Sequence, residues 1–266
     1  GVSGNYPIKM PQLRNLFLTG DEVRKDISRL LSERVQAILS NDTFFDLDLS
    51  KGVFILHVIP IQSFEEDVML STAAMIQNKE LLVPIAHRSG YLKEENNFEG
   101  LIRYSTSGSA VETYAQIFNS GIIECVNTWM LSVEGQWGPY LHSDSFARGL
   151  FSGLDALIRY IKALGLNFPF VLHLELHGIK DIKLSTDFDN FQMLVYKNGL
   201  RNDSLRFPSI YLTDEIRTLN PKYFVRKTKI WMDLLWRAFG YSECASYTEM
   251  GYQFRNSTDG LWPFEE

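Results

Sequence analysis

The chain has 266 residues, 45% of them hydrophobic, so it can bury a sizeable core in one large or two small domains. Its net charge of −6 excludes one broad nucleic-acid-binding surface, although a local basic patch remains compatible with it. Two cysteines, Cys125 and Cys244, are too few for a disulfide framework or a cysteine-rich zinc site. Because free cysteines suit a reducing compartment and no apolar run approaches the roughly 20 residues that span a bilayer, we expect a cytoplasmic protein without a membrane partner.

The first long periodic segment predicts a helix that ends near Leu39. Thr19 and Glu22 have the spacing of a capping box at its start. Apolar residues then recur at helical spacing and form one stripe: Val23, Ile27, Leu30, Leu31, Val35 and Ile38. We therefore expect this helix to pack one face against another layer.

Residues 52–64, GVFILHVIPIQSF, contain the longest apolar run of the chain, from Val53 to Ile59, interrupted only by His57. Such a run, rich in β-branched residues and ended by Pro60, predicts a strand that is buried on both faces. Strict alternation of apolar and polar residues would instead indicate one solvated face. This stretch is the predicted central strand of a sheet with a layer on each side.

The segments after the central strand predict a meander and a second helix. Residues 61–99 lack periodicity and are predicted to be irregular. Residues 100–132 contain three strand-like runs separated by tight turns with glycine. A second long helix is predicted from Ser143 to Leu164, with Gly165 as its stop, and its Gly149 and Gly153 would allow a neighbouring element to approach closely.

The C-terminal third predicts one clear strand and one more helix. Residues 170–179, FVLHLELHGI, alternate cleanly, and weaker strand signals follow at 191–196 and 207–212. Asn220 is a predicted N-cap, followed by proline at the first position of a third helix over 221–239. Antiparallel strands alternating with a few long helices predict an α+β fold: a mainly antiparallel sheet with three long helices packed on it.

The most specific candidate site is His173-x-Glu175-x-His177. On a strand these three side chains project from one face, about 7 Å between alternate positions. Two imidazoles and a carboxylate are a common ligand set for zinc or iron, so the pattern is compatible with a metal-dependent enzyme. The alternative is an ordinary sheet face that is solvated or lies against a helix edge, because a metal site needs converging ligands from other elements and no further ligand stands out.

Two further features are compatible with nucleic-acid binding. The last helix carries basic residues at three- and four-residue spacing, which could contact phosphates: Lys222, Arg226, Lys227 and Lys229. The tail carries aromatic residues that could stack on bases: Tyr247, Tyr252, Phe254 and Trp262. The simpler alternatives are a solvated helix face and a tail that folds back onto its own core.

No phosphate-cradling glycine motif, dinucleotide fingerprint or nucleophile elbow is present in the sequence. We therefore expect no cofactor, and we expect a binding or regulatory protein rather than an enzyme. The catalytic residues of any such enzyme are not identified by a local motif.

The order of segments resembles a known family. The opening SGNYPIKMPQLRNLF resembles the closing segment of the AlbA-type DNA- or ATP-binding domain of Schlafen-like and many bacterial proteins. The stretches GVFILHVIPIQSF, FEGLIRYS, ETYAQIFNSGIIECV and FVLHLELHGIKDIKL resemble the C-terminal region attached to that domain in the bacterial members. The resemblance divides the chain into residues 1–45, the tail of the preceding domain with a connecting helix, and residues 46–266, a C-terminal α+β domain.

What the resemblance implies is an accessory role. The AlbA-type domain, to which nucleotide or nucleic-acid binding is attributed, would precede residue 1, so nucleic acid would be reached through that domain. The C-terminal region would sense, dock or self-associate without catalysis. The alternatives are a metal-dependent enzyme built on His173, Glu175 and His177, or direct nucleic-acid binding through the basic last helix.

Overall fold

The fold was analysed in a computed structural model, which describes residues 21–65, 68–87, 91–131, 139–185, 199–213, 220–254 and 260–264. The predicted α+β class is confirmed, because a large antiparallel sheet carries helices on both faces. The sheet contains β1 (Val53–Pro60), β2 (Lys93–Asn97), β3 (Gly100–Ser107), β4 (Ala110–Phe118), β5 (Ile123–Asn127), β7 (Phe170–His177), β9 (Ser204–Arg206) and β10 (Ile210–Leu212).

The strand order is β10-β7-β1-β5-β4-β3-β2, and β9 also pairs with β7. Two small ribbons lie outside this sheet. They consist of β6 (Tyr140–His142) with β8 (Lys183–Ser185), and β11 (Gly251–Gln253) with β12 (Leu261–Pro263). The α-helices are α1 (Asp21–Leu39), α2 (Thr72–Gln77), α3 (Ser143–Ala163), α4 (Pro221–Lys227) and α5 (Lys229–Ala238), and three short 3₁₀ turns cover Leu49–Lys51, Ile61–Phe64 and Lys79–Leu81.

The predicted central strand is confirmed. All eight residues of β1 are buried, and β1 pairs antiparallel with β5 on one side and β7 on the other. Side chains at alternate positions enter two different cores. Phe54 packs edge-on against Phe146 of α3, at 5.9 Å between ring centroids, whereas Ile55 joins Val35 and Ile38 of α1.

Close packing of α3 depends on its two glycines, as predicted. A Cβ atom added at Gly149 would lie 2.8 Å from the Ala86 side chain, and one at Gly153 would lie 2.7 Å from Ile85. These distances are shorter than ordinary van der Waals contact. The small residues therefore let the 82–87 loop lie directly on the helix.

The structure departs from the sequence predictions at two places. The 61–99 segment is not wholly irregular, because α2 lies within it and β2 extends the sheet beside β3. The third helix is not continuous: it breaks at Thr228, whose hydroxyl donates to the Phe224 carbonyl (2.7 Å) and competes with the regular helical pattern.

Other expectations on the C-terminal third have mixed outcomes. Asn220 caps α4 as predicted, its side-chain oxygen accepting from the Lys222 N–H at 2.8 Å. Of the strand predicted over 207–212, only residues 210–212 form a strand, which is β10, and β9 ends just before residue 207. The predictions over 191–196 and of the capping residue Thr19 lie outside the described residues.

Candidate functional site

Helix α1 covers the face of β7 that carries the predicted site. Leu172, Leu174 and Leu176 point into the core beneath α3, as the alternation predicts. The opposite face is not solvated, because His173 and Glu175 are buried. Ile27 and Leu31 of α1 pack nearby, in one hydrophobic cluster with Val171 of β7.

The Glu175 carboxylate is contacted by three side chains. We name the four residues the cleft cluster: His173, Glu175, His177 and Arg206. The Oε1 atom of the carboxylate lies 2.8 Å from His173 Nε2 and 2.8 Å from Arg206 Nε, and its Oε2 lies 2.8 Å from His177 Nε2. Because a carboxylate only accepts, all three nitrogens donate to it. The other nitrogen of His173, Nδ1, lies 3.0 Å from the Ser209 hydroxyl, which fixes the ring.

The charge of Glu175 is stabilised in spite of its burial. Desolvation favours the neutral acid, but hydrogen bonds from His173 and His177, together with the Arg206 charge, outweigh it and lower the pKa of Glu175 well below its usual range. The carboxylate is therefore ionised at neutral pH, with both oxygens already occupied.

This pairing does not favour the metal hypothesis. The two imidazoles contact different oxygens of the same carboxylate. Within the described ranges, no group of three or more His, Cys, Asp or Glu side chains is arranged to hold a metal ion. The proposed ligands His173, Glu175 and His177 are thus brought together, but as a hydrogen-bonded set.

A second polar group lies beneath the same helix, in the middle of the sheet. We name it the central cluster: Arg34, His57, Tyr114 and Glu124. Arg34 binds Glu124 with two nitrogens, Nε to Oε2 at 2.9 Å and a terminal nitrogen to Oε1 at 3.0 Å. His57 Nε2 lies 3.2 Å from Oε2, and the Tyr114 hydroxyl donates to Oε1 at 2.8 Å.

Electrostatics hold the central cluster in its paired form. Glu124 is fully buried, and desolvation alone would raise its pKa, but hydrogen bonds from His57 and Arg34 lower it to about 2. Burial is the main reason that the pKa of the Tyr114 hydroxyl lies well above its usual value, and the adjacent Glu124 charge raises that pKa further. Glu124 and Arg34 are therefore a charged pair and Tyr114 is a neutral donor.

The two clusters meet in one row across the sheet. His173 of β7 is paired in register with His57 of β1, His57 with Glu124 of β5, and Glu124 with Gln116 of β4. Residues directly opposite on antiparallel strands have Cβ atoms about 5 Å apart. His57 Nδ1 is buried without a hydrogen-bond partner, and so the row contains one unsatisfied nitrogen between its two charged groups.

Beside the cleft cluster, a cleft of about 320 Å³ opens between residues 24–32 of α1 and the β9–β10 edge. Its walls are mostly polar, over an apolar base. The lining residues are Arg24, Ile27, Ser28, Leu31, Ser32, His173, Glu175, Arg206, Ser209 and Tyr211. This size falls at the lower end of the range of small-molecule sites, roughly 300–1,000 Å³.

The predicted basic stripe is divided by the break between α4 and α5. Lys229 forms an ion pair with Asp233 (2.7 Å) and lies over the Tyr247 ring, while Lys227 lies over the Tyr223 ring. Lys222 and Arg226 remain on α4. The four residues do not form one continuous cationic row along a single helix, so the geometry does not favour direct nucleic-acid binding here.

The aromatic tail folds back onto the protein, as the simpler alternative expected. Tyr252 and Phe254 are buried and pack on each other at 4.8 Å between centroids. Tyr252 also donates to Asp144 of α3 (3.0 Å), and Trp262 packs against Phe254. These rings belong to the core and are not a free stacking surface.

Sequence reasoning missed Arg34 and Glu124, although each left a signal. Glu124 is a lone charge within the apolar run IIECV, where an unpaired carboxylate would be costly. Arg34 lies three residues after Leu31 and four before Ile38, and so borders the apolar stripe of α1. The cleft residues Arg24, Ser28 and Ser32, spaced four apart on α1, lie off its apolar stripe and were not predicted as site residues.

Comparison of the chain with protein-family models, characterised proteins and solved structures gives no match. Among the helices that the structure describes, none is long and apolar enough to cross a membrane. The function is therefore inferred from the geometry of the cleft and from the resemblance of the sequence to a known family.

Proposed function

We propose that this chain is a non-catalytic sensing domain of an AlbA- or Schlafen-like protein, and that it binds a small polar ligand in the cleft beside β7. The observation that carries the proposal is the pairing of Glu175. Its oxygens accept from His173, His177 and Arg206, so this carboxylate, the one among the described lining residues, is engaged and is not available as a general base. The groups left to face a ligand are donors suited to recognition.

The resemblance supplies the partner in this proposal. Nucleic-acid or nucleotide contact belongs to the AlbA-type domain, and the cleft reports the presence of a ligand to it. Helix α1 suits this role because it forms one wall of the cleft and would also be the connection to that domain. A protein partner or a second copy of the chain would be an alternative receiver of the signal.

A thermal-shift screen with a chemically diverse small-molecule library tests the proposal. We expect a subset of compounds to raise the Tm of the wild-type chain but not that of Ser28→Trp, which fills the cleft from the α1 wall. Glu33→Trp, at an exposed position of the same helix outside the cleft lining, is the matched control and should respond like the wild type. If no compound separates Ser28→Trp from the wild type, or if a bound compound is turned over, the proposal is wrong.

A further inference from the structure

The polar side chains that line the cleft are mainly hydrogen-bond donors. Arg24, Ser28 and Ser32 line it from α1, and Arg206, Ser209 and Tyr211 line it from the β9–β10 side. A guanidinium only donates, and a hydroxyl can donate or accept. Glu175, the only carboxylate among the lining residues that the structure describes, already accepts from three side chains. A ligand that complements this lining must supply acceptors.

Arg24 is the cation best placed to meet such a ligand. It lies one helical turn before Ser28 and two before Ser32, so the three form one row along the cleft wall. In the part of the chain that the structure describes, no carboxylate pairs with Arg24, whereas Arg29 of the same helix is bound to Asp26 at 2.9 Å. The Arg24 guanidinium can therefore turn to a ligand without first breaking an ion pair.

Arg206 provides a second guanidinium whose orientation is already set. Its Nε is held by Glu175 Oε1 at 2.8 Å, while two thirds of its side chain stays exposed. The contact uses Nε, so the terminal nitrogens can donate to another group. A donor that is oriented before binding loses less conformational entropy when the ligand arrives.

The rest of the cleft suits an organic group. Ile27 and Leu31 form an apolar base, and Tyr211, which is 48% exposed, offers a ring at the rim. We propose that the cleft binds a phosphate ester of a small organic molecule, with its phosphate between Arg24 and Arg206. This inference rests on the proposed sensing function and names its ligand class.

A phosphate fits this donor set better than a carboxylate. Two guanidinium forks would use the four lone-pair sites of a carboxylate, and the hydroxyls of Ser28 and Ser32 would find no acceptor. A phosphate monoester presents three terminal oxygens and more negative charge. It can accept from both arginines and from the serines of the α1 wall together.

Isothermal titration with a matched set of probes tests this ligand class. The probes are phenyl phosphate, benzoate, phenol and inorganic phosphate, which separate the phosphate, the charge and the ring. We expect phenyl phosphate to bind more tightly than the other three, and Arg24→Gln to weaken it at least tenfold, because a charge-assisted hydrogen-bond pair is lost. Arg24→Lys should recover part of the affinity, since it restores the charge without the fork.

The controls separate this inference from the proposed function. Arg29→Gln, on the same helix outside the cleft, should bind phenyl phosphate like the wild type, and circular dichroism checks that each variant is folded. Equal affinity for phenyl phosphate in the wild type and Arg24→Gln, or tighter binding of benzoate or phenol, would overturn the phosphate assignment. If the library yields only neutral or cationic ligands that Ser28→Trp blocks, the phosphate inference is wrong while the sensing function stands. If Ser28→Trp blocks no compound, the sensing function itself fails.

Discussion

The central cluster and the cleft cluster use the same chemistry on the same face of the sheet. In each, a strand carboxylate, Glu124 or Glu175, accepts from an imidazole and a guanidinium. They differ in access to water: the side chain of Arg34 is 20% exposed and that of Arg206 is 67% exposed. The two clusters contain similar residue types, and they differ in how α1 covers them. Where α1 covers the cluster fully, the carboxylate and guanidinium form a buried structural pair; where it does not, they can contact a ligand.

The sequence of α1 explains this difference. Its C-terminal half places Arg34, Val35 and Ile38 over the middle of the sheet, where they close the space around Glu124. Its preceding turns place Ser28 and Ser32 beside β7, and these small side chains leave the cleft open. One helix therefore seals one cluster and exposes the other.

The largest effect should come from a charge placed between the two clusters. Ile55 is fully buried, lies opposite Glu175 in the β1–β7 register and packs with Val35 of α1. Ile55→Asp should abolish folding, because an unpaired buried charge costs several kcal/mol and Glu175 repels it. Ile55→Val, the control, should lose only about 1 kcal/mol. A cooperative melt of Ile55→Asp in circular dichroism would show that this part of the sheet is not sealed.

Breaking the buried ion pair of Arg34 and Glu124 should be the next most destabilising change. Glu124→Gln leaves the Arg34 guanidinium part-buried without its charge partner and should destabilise the protein by about 3 kcal/mol in urea unfolding. Glu99→Gln is the matched control, because Glu99 contacts the same Arg34 at 3.8 Å but is half exposed. We expect it to cost less than about 0.5 kcal/mol. Equal losses would contradict a structural role specific to Glu124.

Much of the fold could be predicted because its signals are local. The apolar run of β1, the turns of the meander, the C-terminal stop of α3 and the N-cap of α4 are set by residues close together in sequence. The site could be predicted only in part: alternation placed His173, Glu175 and His177 on one face, but not beneath α1. The pairing of Arg34 with Glu124 joins residues 90 positions apart, a distance that no periodicity reports. The break at Thr228 was missed because the helical pattern continues through it.

Acid titration measures the contribution of the Glu175 charge to the free energy of unfolding. The folded-state pKa of Glu175 lies below the ordinary value near 4.3, so its stabilisation is present above that pH and is lost as pH falls toward the folded-state pKa. Glu175→Gln should therefore cost about 1–2 kcal/mol at pH 7, less than Glu124→Gln because water can reach the Arg206 side chain. The stability gap between wild type and Glu175→Gln should narrow below about pH 4.5.

Urea unfolding at pH 7, 5, 4 and 3 measures that gap. Glu243→Gln, at an exposed position outside both clusters, supplies the baseline. A gap that stays constant down to pH 3 would mean that the charge of Glu175 does not contribute to folding. The carboxylate would then be held by packing alone.

The smallest effect on stability should come from the cleft wall. Ser28 is exposed on α1 and its side chain faces the cleft. Ser28→Ala should leave the free energy of unfolding unchanged or raise it by up to about 0.5 kcal/mol, because alanine has the higher helix propensity. Glu33→Ala, on the same helix outside the cleft lining, calibrates the propensity effect in the same urea measurement. A loss above 1 kcal/mol in Ser28→Ala but not in Glu33→Ala would show that this hydroxyl supports the fold. The surroundings of the cleft cluster would then contribute to stability as those of the central cluster do.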